Sequence, residues 1–210
     1  MPRFPSRWRA FEGIEGLPLI IVASNALVFL FDLVQPGLTA FLRLSHPALA
    51  AGEYWRLVTF LFVPPPMNPL FMVFWLYLVF LYANALERAW GSFRFTVYYL
   101  VGSLATAAVG FFPSPEPVPN AYLNASLFLA FTALFPDMEL LLFFILPVKV
   151  KVLGYLTWVW LAWDFWAMGP TTRLAIAAAI LSYLVLLGPA LRERAMLRWQ
   201  VFRNRRRWKN

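Results

Sequence analysis

Leu17-Pro18-Leu19-Ile20-Ile21-Val22-Ala23-Ser24-Asn25-Ala26-Leu27-Val28-Phe29-Leu30-Phe31-Asp32-Leu33-Val34 is apolar almost throughout and stops at the turn signal Gln35-Pro36-Gly37. A helix that crosses a bilayer needs about 20 such residues, so the stretch reads as a spanning helix. Five more apolar stretches follow, at about 69–86, 93–112, 121–135, 148–166 and 173–187. The second opens on a proline, whose missing N–H does no harm at a helix start. The fourth is short. The last ends at Gly188-Pro189, a helix stop. A seventh piece, 138–146, is too short to cross and reads as an interfacial segment.

Composition agrees. Of 210 residues, 61% are hydrophobic, 19% aromatic and 13% charged, with a mean hydropathy of +0.66. Soluble domains carry about 25% charge, so an ordinary soluble domain and a disordered chain are both excluded. The length allows at most about six or seven spans. Cysteine is absent and His46 is the only histidine. That removes disulfides, thiolate chemistry and a histidine-built metal site, so no metal and no cofactor are expected. Residues 1–16 have no apolar core followed by a small-residue cleavage site, so no cleaved signal is expected.

The connections divide the chain further. Residues 39–68 are too long for a plain turn and carry Trp55, Phe60 and Phe62. They should hold structure of their own and lie partly in the membrane. Residues 113–120 contain four prolines and read as a stiff extended link. If the N-terminus is cytoplasmic and six helices alternate, fifteen Lys and Arg fall inside and three (Arg43, Arg56, Arg173) outside. That is the orienting bias of membrane proteins, and an even span count places both termini on one side. The expected organisation is a basic cytoplasmic N-terminus (1–16), a six-helix membrane domain (17–190) and a basic cytoplasmic tail (191–210). The membrane expected from these charges is a bacterial plasma membrane. The tail, with Trp208 among its basic residues, suits anionic lipid at roughly 1 kcal/mol per charge. Topology and lipid account for the formal charge of +8, and no nucleic-acid partner is expected.

Three stretches carry more specific information. They are Gly52-Glu53-Tyr54-Trp55-Arg56-Leu57-Val58-Thr59-Phe60, Ala85-Leu86-Glu87-Arg88-Ala89-Trp90-Gly91-Ser92-Phe93-Arg94, and the run from Phe135-Pro136-Asp137 through Leu142-Phe143-Phe144-Ile145-Leu146-Pro147-Val148-Lys149. Gly91 and Ser92 fit a tight turn in which the Ser92 hydroxyl caps the third helix, with Glu87 near the free N–H groups there. Trp55 and Arg56 suit an interfacial loop, the indole in lipid and the guanidinium toward water or loop carbonyls. Together the stretches resemble the rhomboid superfamily, which includes intramembrane serine proteases and derlin-like and other inactive relatives. The resemblance implies an all-α six-transmembrane-helix bundle with an outer loop inserted between helices one and two. It also implies a lateral gate near helices two and five and local thinning of the lipid.

Active rhomboids carry a serine flanked by glycines on the fourth helix and a histidine on the sixth. An asparagine and a histidine on the second help hold the oxyanion. By that resemblance Ser126 occupies the nucleophile position, with Asn124 and Leu127 where glycines are expected. The base position falls on Ala175, and the oxyanion positions fall on Trp75 and Phe71. A serine hydroxyl needs a base to take its proton, and removing one oxyanion donor costs about 10²–10³ in rate. The expected function is therefore a non-catalytic pseudoprotease that binds transmembrane segments of client proteins. One alternative is an active serine protease using Ser126 with His46 as base. A second is a lipid-handling or transport protein, resting on the intramembrane polar residues Asn25, Thr106, Asn124, Ser126, Thr132 and Asp164. Asp164 is expected to snorkel from the outer end of the fifth helix. Ser126, Ala130 and Ala133 are expected to face Ala175, Ala178, Ala179 and Ser182, since small residues let membrane helices approach.

Overall fold

The computed structural model describes residues 13–142, 146–185 and 188. The N-terminal residues 1–12 and the basic tail from 191 lie outside the described residues. The first helix, α1 (Leu17–Val34), is followed by three short helices in the loop, α2 (Leu38–Leu42), α3 (His46–Ala50) and α4 (Arg56–Thr59), and by a 3-10 turn over Phe60–Phe62. Then come α5 (Pro69–Trp90), α6 (Ser92–Val109), α7 (Ala121–Leu134), the strands β1 (Glu139–Leu142) and β2 (Leu146–Lys149), α8 (Val150–Ala167) and α9 (Pro170–Val185). The long helices alternate in direction. One end of the bundle therefore carries the α2–α4 loop, the 113–120 link and the α8–α9 turn, and is called the loop end below. The other carries the α5–α6 turn and the hairpin, and is called the basic end.

Apolarity set the expected helices, and the structure departs from it where helicity and apolarity part company. The side chain of Asn68 accepts the Phe71 N–H at 3.0 Å and Pro69 takes the first turn, so α5 begins where expected. It then continues past Leu86 through Glu87-Arg88-Ala89-Trp90, where Glu87 and Arg88 break the apolar run but are good helix formers. It ends only at Gly91, whose φ of +85° breaks the helix.

The expectation of an all-α fold, with 138–146 as an interfacial piece, is corrected by an antiparallel hairpin. Glu139 pairs with Lys149, Leu140 with Val148, Leu141 with Pro147 and Leu142 with Leu146. A two-stranded ribbon has only edge strands, which is why Pro147 is tolerated in it. The Val150 N–H donates to the Met138 carbonyl at 2.8 Å and ties the hairpin to the start of α8.

Among the described residues, α1 and α5 are the helices long and apolar enough to cross a membrane, and α7 and α9 are apolar but shorter. α7 is the most enclosed of them: Leu123, Ala125, Ser126, Leu127, Leu129, Ala130 and Phe131 are all buried. A helix apolar on every side belongs inside a bundle. α5 and α8 pack against it, α1 packs against α5, and the Tyr82 ring of α5 lies 5.7 Å from Phe128 and 6.5 Å from Phe131. The outward faces of α1, α5 and α8 are apolar too, with Leu70, Tyr155, Trp163 and Trp166 exposed. A water-soluble monomer rarely shows so much exposed apolar surface.

Candidate functional site

Ser126 sits in the middle of α7 and is 2% exposed. Its Oγ donates to the Leu123 carbonyl at 2.8 Å and accepts from the Tyr98 hydroxyl of α6 at 3.1 Å. The Tyr98 ring leans on Trp90 at 5.5 Å. Both the proton and a lone pair of the serine are therefore engaged, the proton by a backbone carbonyl and the lone pair by a phenol that is itself the donor. Nothing in that arrangement accepts the serine proton for nucleophilic attack. Ala175 of α9 is fully buried. Where α6, α7 and α9 converge, a Cβ on Gly102 would stand 2.5 Å from Leu123 Cδ1 and 3.8 Å from Ser182 Oγ. A methyl group there would have to displace the end of the Leu123 side chain.

His46 opens α3 in the loop, with its Nδ1 buried and unpartnered among the described residues. The two hydrogen bonds of Ser126 go elsewhere. Phe71 is exposed, and Trp75 lines a cleft between α5 and α8. That cleft has a volume of about 360 Å³. Trp75, Leu78, Val79 and Tyr82 of α5 form one wall and Thr157 and Trp160 of α8 the other. Asn124, Ala125 and Phe128 of α7 form the floor, and Pro65, Met67 and Asn120 lie toward the loop end. The side chain of Asn124 is partly buried and hydrogen-bonded to none of the described residues.

The loop is held by a few polar groups. The Arg56 guanidinium is buried, pairs with Glu53, and donates to the carbonyls of Ala40 and Arg43, both at 2.8 Å. It lies over the Phe41 ring, which in turn contacts Trp55. Deeper in, Nδ2 of Asn120 reaches the carbonyls of Phe60 at 3.1 Å, Leu61 at 3.2 Å and Val63 at 2.9 Å. Asn25 of α1 donates to the same Leu61 carbonyl at 3.4 Å. The Val118 N–H donates to the Leu44 carbonyl at 2.7 Å and stitches the proline-rich link to the loop. Sequence reading passed over Asn120, Tyr98 and Tyr122. Asn120 stands immediately before an apolar run, the place where a helix-capping residue belongs. Its side chain holds the 3-10 turn instead of capping α7.

At the basic end, Gly91 is the N-cap of α6 and Ser92 its first helical residue, so the serine does not cap the helix as expected. Glu87 accepts the N–H of Gly16 at 3.1 Å, and Thr96 Oγ1 accepts the N–H of Ile14 at 3.1 Å. The segment before α1 is thereby strapped onto the α5–α6 turn. Asp164 does not snorkel. It is 6% exposed and accepts the Tyr122 hydroxyl at 3.0 Å.

No curated protein matches the chain. A family model described as eukaryotic integral membrane protein, DUF1751, matches residues 15–114, just under half of the chain, from the start of α1 to the link after α6. The family's eukaryotic description overturns the expected bacterial plasma membrane. Basic residues orient helices in any membrane that inserts them, so the charge count could not have named one. The chain is a membrane protein, similar over residues 15–114 to a family of eukaryotic integral membrane proteins.

Proposed function

We propose that the chain is a rhomboid-like bundle of six spans (α1, α5, α6, α7, α8 and α9) that binds transmembrane segments of other proteins without cutting them. The observation that carries this reading is the open cleft between α5 and α8, floored by α7 and walled by apolar and aromatic side chains. It is supported by the engaged hydroxyl of Ser126 beneath that floor and by the alanine at the position where the resemblance expects a base. The basic tail adds attraction to anionic lipid.

The test is reconstitution in phosphatidylcholine vesicles with a dye-labelled single-span peptide, read by energy transfer to a dye on the protein. Transfer that falls when unlabelled peptide competes supports the reading, and transfer no greater than random mixing overturns it. A serine-directed fluorophosphonate should leave Ser126 unlabelled. Labelling abolished by both Ser126→Ala and His46→Ala would establish a protease instead.

A further inference from the structure

The cleft contains one feature that an apolar docking groove does not need. Trp75 to Tyr82 lie six to thirteen residues beyond the start of α5 at Pro69, about 9–20 Å along its axis. Thr157 and Trp160 lie ten and seven residues before the end of α8 at Ala167, about 15 and 10 Å. With α5 and α8 spanning, the cleft sits at hydrocarbon depth. The Asn124 amide faces this space with two N–H donors and a carbonyl acceptor and has no partner among the described residues. The hydroxyl of Thr157 on the opposite wall already donates to the Leu153 carbonyl at 2.9 Å, so it offers the amide no donor. In hydrocarbon no water is at hand to satisfy the amide. An apolar side chain or an acyl chain laid across the cleft would leave it unsatisfied. A partner that brings both a donor and an acceptor would not.

We propose that Asn124 selects the occupant of the cleft, which is a transmembrane segment bearing an Asn, Gln, Ser or Thr roughly 10–15 Å from its loop-end terminus. The inference rests on the client-binding reading above and specifies its partner. Hydrogen bonds between membrane helices are modest, so the preference over an all-apolar segment is roughly three- to twentyfold. The aromatic walls supply contact to either segment. The amide supplies the discrimination.

The chain has no cysteine, so one introduced thiol reports the cleft. Full-length Leu78→Cys protein in phosphatidylcholine vesicles is mixed with two Leu/Ala single-span peptides. Each carries one cysteine at matching depth, and they differ by Asn or Leu at the middle position. Disulfide cross-linking should favour the Asn peptide within that range. Adding Asn124→Leu should bring it down to the level of the Leu peptide, and adding Asn124→Gln should retain the preference. Equal cross-linking of both peptides by the Leu78→Cys protein overturns the inference and leaves client binding standing. Cross-linking of neither overturns both. A preference that survives Asn124→Leu removes Asn124 from the role. Cross-linking of one Leu78→Cys protein to another that excludes both peptides assigns the cleft to a second copy of the chain and likewise overturns it.

Discussion

Replacing Asn120 by alanine deletes the side chain that bridges the carbonyls of Phe60, Leu61 and Val63. The amide has two hydrogens for three acceptors, so two bonds are near full strength and the third is shared. At about 0.5–1.5 kcal/mol net for each bond, the loss is about 1–3 kcal/mol. For a chain of this size that lowers Tm by roughly 2–4 °C per kcal/mol, measured by circular dichroism in detergent micelles. Asn120→Asp should be worse than Asn120→Ala, because it sets acceptor oxygens against acceptor oxygens at about 3 Å and buries a charge. The Leu61 carbonyl is shared with Asn25, so Asn25→Ala and Asn120→Ala should also be non-additive by about 0.5 kcal/mol or more. If Asn120→Asp matches Asn120→Ala, or if alanine costs less than about 0.3 kcal/mol, the carbonyl clamp does not hold the loop and the reasoning fails.

Arg56→Lys should lose nearly as much stability as Arg56→Ala, about 2–3 kcal/mol, because a lysine cannot reproduce the fork that meets Glu53 and two carbonyls at once. Limited proteolysis within 35–60 should report the loosened loop. Ser126→Ala should cost about 1 kcal/mol in Tm measurements, and Tyr98→Phe in the same background should cost little more, since the phenol has already lost its acceptor. Gly13→Ala should cost about 1–3 kcal/mol, because the added methyl would stand 2.4 Å from the backbone of Phe93. Hydrogen exchange at Ile14 and Gly16 should quicken as the strap lifts.

The helices were legible because lipid-facing and buried positions are both apolar, so an unbroken apolar run marks a helix whichever way it faces. The same degeneracy hid the rest. Nothing in the run of residues distinguishes Tyr98, which meets Ser126, from Tyr155, which faces outward. The hairpin was missed because a nine-residue piece that is apolar but for Glu139 fits a strand pair as well as an interfacial helix. Ser92 misled because a serine after glycine invites a capping reading, while the left-handed Gly91 takes that position itself. Asp164 was read from its nearness to a helix end, where a carboxylate usually escapes to water. Its partner Tyr122 stands 42 residues earlier in the chain, and only tertiary packing brings the two together.

The seam between Leu44 and Val118 has a bearing on traffic. Together with the Asn120 clamp it knits the two irregular segments at the loop end into a lid over the N-terminus of α7. The prolines of both segments line a small cavity of about 210 Å³ there, with Arg43 and Asn120 at its wall. A molecule dissolved in the bilayer meets the unobstructed flank between α5 and α8. On the proposed function, a client that enters between α5 and α8 would already be inserted in the membrane.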